Sequence, residues 1–234
     1  MLKHETRPSA EVLSALPIFP LPNVVLLPGM VLPLNVFERR YLDLVDHIRE
    51  GSGHLGIPLL SPGYEADYEG RPPVEEVFGI GRLLSHERLA DGRRFIRVEG
   101  LGRVRMLREL PPRHAFREVE VVALDEAQPR DLESLEILRA QIERIAALCP
   151  QDGEMIRSLL ALPDARVLAY AMSALLPALD HLHSASRPAR RCPQIQHVQR
   201  SLAAPTTDDR IHLLVERTGE ALARMNRGAA DLLN

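Results

Sequence analysis

Nine histidines, two cysteines, a single lysine and a large set of arginines carry whatever chemistry this 234-residue chain can do. Nucleotide hydrolysis needs a phosphate cradle in which a lysine reaches the β- and γ-phosphates. Lys3 is the only lysine, so that motif is absent, and a Ser-Lys dyad or Schiff-base lysine would have to rest on a residue expected in a terminal tail. Gly51-Ser52-Gly53-His54 sets a serine between glycines but reads as the loop that ends a helix. His181 and His183 form H-x-H, with Cys192 nine residues on. Two helical positions apart point about 200° away from each other, so both could ligate a metal only beyond a helix end, and no second pair completes a tetrahedral set. His86 and His114, in or beside arginine-rich strand regions, read as solvated. Glu75-Glu76 and Asp208-Asp209 offer paired carboxylates. The second pair stands where a helix should start, where negative charge favours the dipole. No enzyme, no metal and no cofactor is expected.

One constellation remains: Arg93, Arg94, Arg97, Arg103, Arg105 and Arg108. Period-two alternation puts Arg103 and Arg105 on one strand face, with Val104 and Met106 on the other. Such a face can meet phosphates; equally it can be a solvated surface paired with Glu99, Glu109 and other acids. Aromatic residues are only 4% of the chain and do not interleave the arginines, which argues against a stacking platform for single strands. The net charge of −3 and pI near 6.3 give no overall pull toward nucleic acid or anionic lipid. Nucleic acid is therefore not the expected partner. Cys149 and Cys192 are too few and too far apart for a disulfide framework, which fits a reducing compartment. The N-terminus mixes charges of both signs and is not a signal peptide. A cytoplasmic location is expected.

The elements that must position these residues change character near residue 125. Residues 16–37, LPIFPLPNVVLLPGMVLPLNVF, contain no charge and would pass for a membrane span by hydropathy. They also contain Pro17, Pro20, Pro22, Pro28 and Pro33. Each interior proline costs a helix about 3 kcal/mol and biases its predecessor to extended geometry, so the run predicts short extended pieces, Val24–Leu27 and then Val31, Leu32 and Leu34. A helix follows over VFERRYLDLVDHIREG, with Val36 or Phe37, Tyr41, Leu44 or Val45, and Ile48 on one face, Phe37 and Tyr41 set against the barrel, and Gly51 as C-cap. Residues 54–60 predict a strand and 61–73 a polar loop. Asp91-Gly92 between two strand-like runs predicts a hairpin with a type I′ turn, Gly100-Leu101-Gly102 a further turn, and 116–124 a last strand. Several short strands between Gly/Pro turns suggest a small barrel or sandwich.

After residue 125 the spacing is helical. Leu132, Leu135, Leu138, Ile142 and Ile145 mark one face of a helix over 131–148. A second runs over 164–182 from an Asp164 N-cap, with Pro177 expected to kink or divide it. A short helix is predicted around 194–202 and a last one after Thr207, with Ile211, Leu214, Leu222 and Met225 as its apolar stripe. The expected division is thus 1–125, with a flexible first few residues, and 126–234.

Within this frame the N-terminal run resembles the start of the substrate-binding domain of Lon proteases. Leu16-Pro17-Ile18-Phe19-Pro20-Leu21 is similar to the family's opening. Leu27-Pro28-Gly29 and Leu32-Pro33-Leu34 are similar to its middle, and Phe37-Glu38, Arg40 and Tyr41 to its end. Asn35 stands where histidine is common and Arg39 where proline is frequent. Gly79-Ile80-Gly81 and Val98-Glu99-Gly100-Leu101-Gly102-Arg103-Val104 resemble two strand motifs of the same family. The motifs span roughly residues 16–122, and the helical half resembles it only by type and order. The resemblance implies an α+β fold, an N-terminal PUA-like small β-barrel followed by a C-terminal α-helical bundle, of bacterial type. It implies recognition of unfolded polypeptide segments or a protein partner, here in free-standing form, since neither an ATPase nor a peptidase motif is present. Leu26, Leu27, Met30 and Leu32 are the candidate peptide-binding residues, since short Pro-interrupted runs can leave apolar side chains in loops. An RNA-associated module is the alternative, because PUA-like barrels also serve that role.

Overall fold

The structure is a computed structural model, and it describes residues 8–68, 70–181 and 193–231. It forms two compact units, Met1–Asp125 and Glu126–Asn234.

Among the described residues, the first unit is a mixed six-stranded sheet with two α-helices and a 3-10 turn at Tyr64–Asp67. Its elements are α1 (Ala10–Ser14), β1 (Leu16–Ile18), β2 (Val31–Val36), α2 (Arg39–Glu50), β3 (His54–Ile57), β4 (Val77–Arg88), β5 (Arg94–Glu109) and β6 (Arg117–Leu124). The strand order is β2-β5-β4-β3-β1-β6, and β6 pairs back onto β5. Among the strands of the described residues, only the pair β1–β3 is parallel. The uncharged N-terminal run therefore becomes β1, a strandless covering segment and β2. Val24–Leu27, expected as an extended piece, joins no strand pairing; Leu26 and Leu27 lie over glycines of β4 and β5 instead. No helix among the described residues is long and apolar enough to cross a membrane.

The β4–β5 hairpin forms where Asp91-Gly92 predicted it, but with a different turn. Ala90, Asp91 and Gly92 make a three-residue loop, closed by the Leu89 amide donating to the Arg93 carbonyl at 2.8 Å and the Gly92 amide to the Leu89 carbonyl at 3.0 Å. Gly92 alone has positive φ, +87°, whereas a type I′ turn needs it at both central residues. The second expected turn, at Gly100–Gly102, is absent. β5 runs straight through it, and the pairs Gly81↔Gly100 and Ile80↔Gly102 leave Leu101 as a bulge. One extra residue exchanges the two faces of a strand. Thus Ile96 and Val98 pack under α2 with Tyr41, Leu44, Val45 and Ile48. Val104, of the same parity, packs on the opposite face with Leu16, Ile18, Phe78, Ile80, Val119 and Val121.

The second unit is helical: α3 (Leu132–Leu148), α4 (Gly153–Ser158), α5 (Ala165–His181), α6 (Pro193–Ala203) and α7 (Thr207–Asp231). Leu135, Leu138, Ile142 and Ile145 of α3 meet Leu168, Met172, Ile211, Leu214, Leu222 and Met225 in one core. Leu132, assigned to the same stripe, is exposed, since it lies in the first turn beyond the end of that contact. α4 carried no sequence signal. Pro177 lies inside an unbroken α5. Asp164 caps that helix, accepting from the Arg166 amide at 2.8 Å. The Asp208-Asp209 pair is structural. Thr206 Oγ1 accepts from the Asp209 amide and Asp209 Oδ2 accepts from the Thr206 amide, each at 3.1 Å, the reciprocal pattern of a capping box. Asp208 accepts from the amides of Arg130 and Asp131.

Candidate functional site: an open sheet edge and a cleft beside it

The strand order places β2 at the end of the sheet, paired with β5 on one side and with no strand among the described residues on the other. The Gly100 amide donates to the Met30 carbonyl at 2.8 Å. Antiparallel alternation then makes Leu32 and Leu34 the positions bonded to β5, and turns the backbone groups of Val31, Pro33 and Asn35 toward the open side. Pro33 has no N–H there, which suits an edge position. Met30 and Val31 are exposed, as is Phe95 on β5 opposite Asn35.

Of the four residues singled out from the sequence, Met30 keeps an exposed side chain and Leu32 a half-buried one. Leu26 and Leu27 are 1% and 2% exposed and offer a ligand no surface. Their backbone lies directly on the glycines of β4 and β5: a Cβ at Gly79 would fall 2.9 Å from the Leu26 carbonyl carbon, and one at Gly100 would fall 3.0 Å from that of Leu27. The two glycine motifs thus serve as a bed for the covering segment.

Phe37 was expected on the buried face of α2, but the helix starts at Arg39 and Phe37 is 66% exposed. It stands at the mouth of a cleft of about 330 Å³ between the first turns of α2 and the hairpin tip, lined also by Arg39, Leu42, Asp43, Asp46, Arg88, Arg93 and Arg94. Three of its four arginines are paired. Arg94 binds Asp46 with both guanidinium arms, Nη2 to Oδ2 at 2.6 Å, and this hydrogen bonding holds the Asp46 carboxyl below its ordinary value. Arg39 meets Asp43 at 3.1 Å and Arg93 meets Asp91 at 2.6 Å.

Other motif residues pair among themselves. Glu38 accepts from Arg40 Nε at 3.0 Å and from the Tyr68 hydroxyl at 2.9 Å. The Arg40 guanidinium lies over the Tyr41 ring, 4.8 Å from its centroid, and Tyr41 stacks on Phe19 at 4.0 Å. Burial pushes the Tyr41 phenol up to about 12.

The arginine constellation does not form one basic face. Arg103 is 3% exposed, because the bulge at Leu101 turns it to the face covered by the 24–30 segment, while Arg105 is exposed. Arg108 meets Glu120 at 2.6 Å. His86 is exposed. His114 is not simply solvated: it lies with His47 and Glu118 in a group whose donor atoms are within 4.8 Å of one another. His47 drew no attention in the sequence, where nothing local links it to His114. Lys3, His183 and Cys192 lie outside the described residues, as does the side chain of His181.

Residues 15–181 match the ATP-dependent protease La (LON) substrate-binding domain. The chain belongs to that family. It is 28% identical over 119 residues to a Lon protease of Cytophaga hutchinsonii, covering 50% of this chain and 14% of the relative. It is 30% identical over 134 residues to Lon protease 2 of Syntrophobacter fumaroxidans, covering 56% and 17%. The chain thus spans less than a fifth of these relatives. Among solved structures, the Lon N-terminal domain protein from Xanthomonas campestris superposes with a TM-score of 0.59 at 24% identity, over 87% of this chain and 98% of that one. The N-terminal domain of a Mycobacterium avium complex Lon protease gives 0.62 at 22%, over 88% and 98%. The fold is therefore that of Lon N-terminal domains, α+β as expected.

Proposed function

We propose that this LON substrate-binding-type chain recognises polypeptide without catalysing a reaction of its own, and that an extended, unfolded segment docks along the open edge of β2. The observation that carries this reading is the free β2 edge, flanked by exposed Met30, Val31 and Phe95. Backbone groups at Val31, Pro33 and Asn35 give an added strand its hydrogen bonds, and the apolar side chains give it contact area. Leu32 contributes from the rim, Leu26 and Leu27 hold the floor, and the Phe37 cleft takes side chains beyond the strand. The return of β6 onto β5 supports a PUA-like barrel for this unit, with residues 126–234 as a separate helical domain. The expected cytoplasmic location suits a partner of this kind. Arg82, Arg94, Arg108 and Arg117 are held in ion pairs and Arg103 is buried, which breaks up the continuous free basic face that an RNA-associated role would use.

The test is fluorescence anisotropy with a permanently unfolded, reduced and carboxymethylated protein, followed by a peptide array. Replacing one buried aliphatic contact by a charge removes about 1.5–3 kcal/mol, so Met30→Asp and Val31→Asp should each weaken binding about tenfold or more at unchanged melting temperature. Absence of binding by the wild type, or binding by both variants as tight as the wild type's, refutes the reading. Displacement by RNA that fades steeply with salt would instead assign the surface to nucleic acid.

A further inference from the structure

We propose that His47, His114 and Glu118 form a binding site for a divalent transition-metal ion, with zinc the favoured occupant. The three residues come from separate elements: His47 from the last turn of α2, His114 from the loop between β5 and β6, and Glu118 from β6. One ligand atom of each lies within 4.8 Å of the other two. Phe116, buried, forms a common base for both rings. His114 stacks on it with centroids 4.7 Å apart and an interplanar angle of 7°, and His47 lies against it at 5.2 Å. Both imidazoles are thus held to one small volume while their outer edges stay accessible.

Glu118 supplies the second observation. Other acids of β5 and β6 have arginine partners: Glu99 meets Arg82, Glu109 meets Arg71 and Arg117, and Glu120 meets Arg108. Glu118, with a side chain only 10% exposed, faces His114 Nε2 at 3.9 Å, beyond hydrogen-bond reach. A largely buried carboxylate beside two imidazoles is a set of two nitrogen donors and one oxygen donor, suited to zinc with a fourth position left open. Zn–ligand bonds of about 2.0–2.1 Å put tetrahedral donors about 3.4 Å apart. The exposed histidine rings must therefore close in by about an ångström, within reach of side-chain rotation. Bound there, the ion would tie the end of α2 to the β5–β6 loop.

The experiment is calorimetric titration of zinc chloride into chelator-treated full chain, paired with thermal melting. One ion per chain is expected, with a raised melting temperature that a chelator reverses. His47→Ala, His114→Ala and Glu118→Gln should each weaken that binding at least tenfold, while His86→Ala leaves it unchanged. Cobalt(II) should give the visible spectrum of a four-coordinate ion, lost in His114→Ala. The exposed histidines make loss of folding a poor explanation, and the metal-free melting temperature of each variant checks it. Zinc uptake that survives in a His47→Ala/His114→Ala double variant, or is lost instead in His181→Ala/His183→Ala, overturns the proposal. So does absence of stoichiometric binding by the wild type.

Discussion

Replacing Gly79 by alanine should destabilise this protein far more than the same change at Gly102, although both glycines lie in paired strands of one sheet. A Cβ at Gly79 would fall 2.9 Å from both the carbonyl carbon and the Cβ of Leu26, and well inside contact with the Leu26 carbonyl oxygen. Carbon atoms rest about 3.5–4.0 Å apart, so the covering segment must lift by about 1 Å. Leu26 and Leu27 would lift with it. Overpacking of this kind costs about 1–3 kcal/mol, and partial exposure of two leucines, each contributing about 1.5–3 kcal/mol when fully buried, adds to it. Reduced freedom of the unfolded chain returns about 0.4–1 kcal/mol. The net loss for Gly79→Ala is about 2–3 kcal/mol. At Gly102 nothing lies within 4 Å of the added carbon, so only the favourable entropy remains. Urea unfolding followed by far-UV circular dichroism decides between them: with m near 1–3 kcal/mol/M, the Gly79→Ala midpoint should fall by roughly 1–2 M at unchanged m. Midpoints for the two variants within the equivalent of about 0.5 kcal/mol would refute the packing role of the glycine bed.

Further expectations concern α2, β3 and the start of α5. Tyr41→Ala should cost about 3–5 kcal/mol as a buried aromatic truncation, while Phe37→Ala should stay within about 0.5 kcal/mol; equal losses by thermal melting would place Phe37 in the core after all. Burial holds the His54 imidazole below its ordinary value of 6.5, so just below that pH the unfolded chain binds more protons than the folded one, and stability falls as pH drops below about 6.5. His54→Leu should shrink the difference in melting temperature between pH 7.5 and 5.5, and an unchanged difference would show that His54 does not contribute. Asp46 and Asp164, held below 3.8 mainly by hydrogen bonds from Arg94 and Arg166, lose their contribution only at lower pH, as it falls through their folded values.

Where one physical signal dominated, sequence and structure agree. Tyr41, Leu44, Val45 and Ile48 recur at helical spacing and are the buried residues of α2. Asp91-Gly92 marks the hairpin because a tight reversal needs a residue that tolerates positive φ. Where two signals gave the same pattern, the reading failed. Gly100-Leu101-Gly102 looks like a turn, but glycine is equally what a strand needs where another backbone lies on it. The Leu101 bulge within that stretch also turned Arg103 to the covered face, which no local alternation could indicate. Phe37 has helical spacing to Tyr41, yet the helix begins two residues later. His47, His114 and Glu118 meet only through the packing of α2 against the β5–β6 region, a contact with no local signature.

The same distinction bears on what the family resemblance conveys. Leu16, Ile18 and Phe19 are core, Leu27 covers a glycine of β5, and Glu38, Arg40 and Tyr41 bond or stack among themselves and with Phe19 and Tyr68. Most of the motif is thus occupied in building the first unit. It follows that a match to the motif reports the fold, while on the proposed reading the choice of ligand would rest on other residues: Met30, Val31 and Phe95 along the edge and the charged lining of the Phe37 cleft. At 28–30% identity over the matched segments, relatives can keep the scaffold and differ at these positions. On this view, exchanging Met30, Val31 and Phe95 for a relative's residues would transfer peptide preference with little change in stability.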